Sequence, residues 1–220
     1  MPIVLVANPK GGVGKSTVAS NLAGYFASRG ERTLLGDLDR QQSSAAWLKL
    51  RPASAPPIES WEYAEDRVAR PPRGVTHVVI DTPAGIHGHM LKDALRSADR
   101  VIVPLQASIF DILATQEFID KLAGRGELER QHIGVLGMRV DARTRAAEQL
   151  ARYVADLGLP VLGFLRDTQN YVQLAAHGLT LWDVPAARFD HDRAQWAELI
   201  GWVEGRSPAG EPKVVLGSSG

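Results

Sequence analysis

The stretch NPKGGVGKST spans residues 8–17 and follows IVLVA at residues 3–7. It ends in Gly14, Lys15 and Ser16, as a phosphate-binding loop does. The usual spacing, G-x-x-x-x-G-K-[ST], wants glycine at position 9, where Pro9 stands. The flanking sequence resolves the ambiguity. Ile3–Ala7 reads as a buried strand, and Val18–Ser28 as a helix with Val18, Leu22 and Tyr25/Phe26 on one face. A glycine-rich turn between a strand and a helix lets successive backbone N–H groups curl around phosphate oxygens, and the helix start adds its positive end. Gly11, Gly12, Val13, Gly14, Lys15, Ser16 and Thr17 are therefore the candidate phosphate-binding residues, with Lys15 reaching the terminal phosphates and Ser16 holding Mg²⁺. Pro9 costs little where the chain is extended and its N–H is not needed. Lys10 is either a solvated rim lysine or a charge supplied to a nucleotide on a second subunit, by the logic of an arginine finger.

Outward from the loop, short β-branched runs alternate with amphipathic stretches. Strands are expected at Arg32–Leu35, Val75–Ile80, Arg100–Val103, Ile133–Leu136 and Val161–Phe164. Helices are expected at Ser43–Leu50, Ile109–Leu122 and Arg145–Leu157, and a late helix carries Trp196, Leu199, Ile200 and Val203 as a core-facing stripe. RPASAPP (51–57) is a loop, because its prolines forbid regular structure. Wholly apolar strands separated by helices predict an α/β fold, a mostly parallel twisted sheet with helices on both faces. Ligands bind beyond the carboxyl ends of such strands. The 220 residues suit one domain, taken as 1–204, with a Gly/Ser/Pro-rich tail at 205–220 read as disordered.

A hydrophobic share of 45% supports a real core. No apolar run reaches the ~18 residues that span a bilayer, and IVLVA is too short for a signal peptide. The absence of cysteine excludes disulfides, thiolate metal sites and iron–sulfur ligands. Net charge is zero, so any nucleic-acid contact requires basic residues gathered on one face. At the end of the second strand, GDLDRQQSS (36–44) sets Asp37 and Asp39 beside the same phosphates, one to approach Mg²⁺ through water and one to position the attacking water. VVIDTPAG (78–85) ends its strand in Asp81, a usual place for a carboxylate of the magnesium shell.

Together these pieces resemble the ParA/MinD family of ATPases with a deviant Walker A loop. The family's KGG-x-GK-[ST] is matched by Lys10 to Ser16, its second motif by Asp37-Leu38-Asp39-Arg40-Gln41 with Arg40 in place of proline, and its third by Asp81-Thr82-Pro83. VIVPLQASIFDI (101–112) is similar to the family's strand followed by a proline, a polar turn and an aspartate. Met138 departs from the Asn or Thr that many relatives carry near the base. The resemblance spans roughly residues 2–203 and implies a P-loop NTPase fold, ATP and Mg²⁺ as cofactors, and slow, partner-stimulated hydrolysis. It further implies a homodimer in the ATP state, with Lys10 crossing to the partner's phosphates and Asp39 serving hydrolysis. Lys10, Lys15 and Asp39 are thus the expected catalytic residues, and Ser16, Asp37 and Asp81 the expected metal residues.

The family's dimers bind nucleoid DNA or membrane. The tail makes a poor membrane anchor, and the strand at residue 3 leaves no helix-turn-helix before it. The expectation is a short ParA-like positioning ATPase, also similar to MipZ-like regulators. Such a protein would be cytoplasmic and nucleoid-associated, bind DNA of any sequence, and answer to an adaptor protein. The alternatives are a MinD-like membrane-associated regulator and a metabolic ATPase of the same superfamily. Arg139, Arg143, Arg145 and Arg152 are the candidate DNA contacts, with Arg188 and Arg193 weaker; a solvated helix face explains them equally well. His87 and His89 lack further ligands for a metal site.

Overall fold

In the computed structural model, residues 2–39, 41–61, 71–124, 132–141, 143–156 and 158–206 are described. The strands are β1 (Ile3–Val6), β2 (Thr33–Asp37), β3 (Ile58–Trp61), β4 (His77–Asp81), β5 (Arg100–Gln106), β6 (Ile133–Met138) and β7 (Val161–Leu165). They form one seven-stranded sheet in the order β3-β2-β4-β1-β5-β6-β7, and every pairing is parallel. The helices are α1 (Lys15–Ser28), α2 (Ser43–Leu48), α3 (Gly88–Ser97), α4 (Ile109–Gly124), α5 (Arg145–Asp156), α6 (Gln169–Ala175), α7 (Asp190–Ala194) and α8 (Ala197–Val203).

Alternation along the strands divides the core. On β1, Val4 and Val6 face one layer with Val18, Leu22 and Phe26 of α1, Trp47 of α2, Leu174 of α6 and Leu199 of α8. Leu5, with Ala7 just past the strand, faces the other, with Leu91 of α3, Ile119 of α4 and Leu150 of α5. The doubly covered parallel sheet expected from the sequence is therefore present. The late apolar stripe is buried too: Trp196, Leu199, Ile200 and Val203 all belong to the first layer.

Several boundaries differ from expectation. α1 begins at Lys15 rather than Val18, so the phosphate-binding loop runs directly into the helix. β5 continues three residues past Val103, through Pro104. The proline is tolerated because β1 has already ended beside it. Its carbonyl faces that side and accepts the Asn8 Nδ2 amide at 2.8 Å, so its missing N–H deprives no strand partner. β3 and α3 were not anticipated. Of the expected tail, residues 207–220 lie outside the described residues.

Candidate functional site

β1, β2 and β4 bring the site together at their carboxyl ends. The registers pair Val6 with Asp81 and Asp37 with Asp81, so both carboxylates emerge beside the loop that leaves β1. A cleft of about 580 Å³ opens there, lined by Gly11, Gly12, Gly14, Lys15, Ser16 and Thr17 of the loop. Asp39, Gln41, Ser43, Thr82, Pro83, Ala84 and Arg139 complete its walls. Val13 is buried beneath the loop rather than in the cleft wall.

Backbone geometry explains the glycine immediately before the helix. Gly14 has φ +96°, and a Cβ there would come within 2.6 Å of Met138 Cε. The left-handed dihedral disfavours any side chain, and a Cβ would also have to displace the flexible end of Met138. Asn8, fully buried, holds the loop's start: its Oδ1 accepts the Lys10 N–H at 2.8 Å, while its Nδ2 donates to Pro104 O and Thr115 Oγ1. The Pro9 carbonyl accepts the Gly85 N–H at 2.8 Å, joining the loop to the segment after β4.

Lys15 is buried, and its Nζ donates to the Lys10 carbonyl at 2.7 Å. Burial lowers its pKa, while the Asp81 and Asp39 carboxylates oppose that shift. Asp81 is only 2% exposed. Burial pushes its carboxyl up to about 6, against the Ser44 and Ser16 hydroxyls, and the Asp37 carboxylate adds to the rise. Its Oδ2 accepts the Ser44 hydroxyl at 2.5 Å, whereas its buried Oδ1 has no hydrogen-bond partner among the described residues. A buried carboxylate oxygen without a partner, near a serine hydroxyl at a helix start, fits a hard divalent cation. Ser16 and Asp81 would hold it.

Asp37 is differently employed. Its Oδ1 accepts the Asp39 N–H, and its Oδ2 accepts the N–H groups of Ser44 and Ala45 at the start of α2. The side chain thus caps α2 and fixes the turn that carries Asp39. Any approach of Asp37 to a cation would be through water, its oxygens being shared with the backbone. Asp39 lines the cleft, and its Oδ1 accepts the Gln41 N–H at 3.0 Å. Lys10 points elsewhere: its Nζ pairs with Asp111 Oδ1 of α4 at 2.6 Å.

The four candidate DNA-binding arginines have different partners. Arg139 lies at the end of β6, with φ +54°, in the cleft wall. Arg143 folds back onto both oxygens of Asp141. Arg145 and Arg152 are exposed on α5, two turns apart and so on one face, but Arg152 is 3.9 Å from Glu148 on that helix. Arg193 is committed inward, donating to the carbonyls of Leu181 and Val184 and lying over the Trp182 ring. Among the described residues, no group of three or more His, Cys, Asp or Glu could hold a metal.

Asn8, Ser44 and Thr82 were missed in the sequence. Thr82 Oγ1 donates to Val6 O, binding β4 to β1 beside the cleft. These are polar residues whose roles depend on distant partners.

Comparison with known proteins agrees with this geometry. Residues 4–181 match the CobQ/CobB/MinD/ParA nucleotide-binding domain. The chain is 31% identical over 185 residues to maintenance of carboxysome distribution protein A of Gloeobacter kilaueensis, covering 81% of this chain and 83% of that one. It is also 31% identical to the chromosome-partitioning ATPase Soj of Thermus thermophilus, covering 67% and 73%. Among solved structures, MinD of Aquifex aeolicus in complex with MinC superposes with TM-score 0.72 at 15% identity, covering 96% of this chain and 99% of that one. A plasmid partition protein of Borrelia burgdorferi bound to AMPPNP gives TM-score 0.69 at 19% identity, covering 91% and 99%. The chain, with its parallel sheet and its glycine loop set between β1 and α1, belongs to the CobQ/CobB/MinD/ParA family of nucleotide-binding domains.

Proposed function

We propose that the protein is a ParA-like ATPase, a switch that pairs two subunits when ATP is bound, grips DNA without regard to sequence, and positions a cargo. The observation that carries this reading is the division between two lysines of one loop. Lys15 lies inward among the cleft carboxylates, whereas Lys10 turns to the rim and pairs with Asp111. A cation outside its own cleft is suited to a nucleotide on a second subunit. The names of the two relatives, one for carboxysome distribution and one for chromosome partitioning, support a positioning role.

In this scheme the backbone N–H groups from Gly11 to Thr17 bind phosphate oxygens, and Lys15 neutralises the terminal phosphates. Ser16 and Asp81 would hold Mg²⁺, which would offset phosphate charge, while Asp37 keeps the Asp39 turn in place. Asp39 orients the attacking water. Hydrolysis is slow, and an adaptor protein accelerates it. Arg145 and Arg152, doubled in a dimer, supply phosphate contacts to DNA.

Fluorescence anisotropy with a random-sequence duplex, in Mg-ATP and Mg-ADP across a salt series, tests this reading. Binding is expected with ATP, weakening steeply as salt rises. Binding indifferent to both nucleotide and salt would discard it.

A further inference from the structure

Arg139 follows the last residue of β6, and its backbone is left-handed, at φ +54°. The turn has a use: Val140, the next residue, donates its N–H to Leu165 O at the end of β7 at 3.1 Å. Glycine would make that turn without strain, whereas a side chain there costs free energy. An arginine kept at such a position points to a task for its side chain.

Among the described residues, little else occupies that side chain. It is 59% exposed, and its Nε stands 4.0 Å from an Asp167 carboxylate whose side chain is 77% exposed. An ion pair so long and so open to water contributes little. Arg139 also borders a second hollow, of about 350 Å³, but the carboxylate lining it, Asp141, is already held by Arg143. The remaining neighbour is the cleft. Met138, just before Arg139, packs its Cε against Gly14, so Arg139 leaves the sheet beside the last glycine of the loop. Among the described residues that line the cleft, Lys15 and Arg139 alone are cations.

We infer that Arg139 is a nucleotide-binding residue, whose guanidinium pairs with the polyphosphate of the nucleotide in its own subunit. A guanidinium presents a planar fork of N–H donors that can take two phosphate oxygens at once. This rests on the reading of the cleft as a nucleotide site, and not on subunit pairing or DNA binding.

Calorimetric titration with Mg-ADP over a salt series, with thermal melts of the nucleotide-free proteins, tests it. Wild type is compared with Arg139→Gly, which removes the side chain and relieves the backbone, and with Arg139→Lys, which keeps a charge. Arg145→Gln, at an exposed site on α5, is the control. Arg139→Gly is expected to melt no lower than wild type, yet to bind Mg-ADP roughly tenfold more weakly and with a shallower dependence on salt. Arg139→Lys is expected to regain part of the loss, and Arg145→Gln to match wild type. Wild-type affinity in Arg139→Gly overturns the inference. So does an equal loss in Arg139→Lys with the salt dependence unchanged, which would mark shape rather than charge. A melt of Arg139→Gly well below wild type overturns it too, by marking a structural arginine. Each of these leaves the nucleotide site standing, whereas wild type that fails to bind Mg-ADP overturns the ATPase reading and the inference together.

Discussion

Asp39 and Asp37 stand two residues apart and do different things. Asp37 spends its oxygens on backbone N–H groups, so it shapes the turn. Asp39 keeps its carboxylate in the cleft wall. Replacing Asp39 by Ala is expected to lower ATP turnover by about 10²-fold, the size of a lost water-positioning or general-base contribution. The same change should leave ATP binding intact and hold the dimer on DNA. Phosphate release and gel filtration with ATP check both parts; a variant that cannot dimerise would contradict the role given to Asp39. The cleft position of Asp39 was legible because it follows the second strand, beside the phosphate-binding loop. The capping by Asp37 was not, since it depends on where α2 begins.

At the scale of elements, a polar knot ties β7 to the helices beyond it. Arg166 follows β7, Asn170 lies in α6 and Asp192 in α7. Arg166 Nε and Asn170 Nδ2 each donate to Asp192 at 2.6 Å. Burial pushes the Asp192 carboxyl up, but these two donors outweigh it and hold the pKa below the ordinary carboxylate value. Such a group stabilises the fold above its unfolded pKa, and the contribution is lost as pH falls through the lowered folded value. Arg166→Met is expected to cost about 1 kcal/mol at pH 7, discounted because the guanidinium is partly exposed. The gap to wild type should close progressively below about pH 4. Urea melts across pH check this, and a pH-independent gap would contradict it. The larger elements were legible because their apolar periodicity is strong: β1, α1, β6 and α5 fall close to their expected places. β3 was not, because as an edge strand it buries only Trp61 of its four residues and shows no alternation. α6 buries only Leu174, and α3 begins at Gly88 in a stretch whose glycines and histidines read as loop. Asn8 and Ser44 act through partners 96 and 37 residues away, contacts that local pattern cannot show.

At the scale of the molecule, the proline-rich loop and the segment before α7 are fastened to each other by a buried ion pair. Arg51 pairs with both oxygens of Asp183, with side-chain exposures of 5% and 1%, and also donates to the carbonyls of Pro56 and Gly178. Asp183 in turn accepts the N–H and hydroxyl of Thr180. Arg51→Ala leaves that carboxylate buried without its counter-charge and is expected to destabilise by about 3–5 kcal/mol. Guanidinium denaturation checks it, and a loss within experimental error would contradict the structural role. In the proposed switch, two lysines of one loop serve two nucleotides. Sedimentation velocity with Mg-ATP on wild type and Lys10→Ala, alongside ATP-binding titrations, tests it most directly. Wild type is expected to shift from monomer to dimer, while Lys10→Ala binds ATP and remains monomeric; a Lys10→Ala protein that dimerises as wild type does would contradict it.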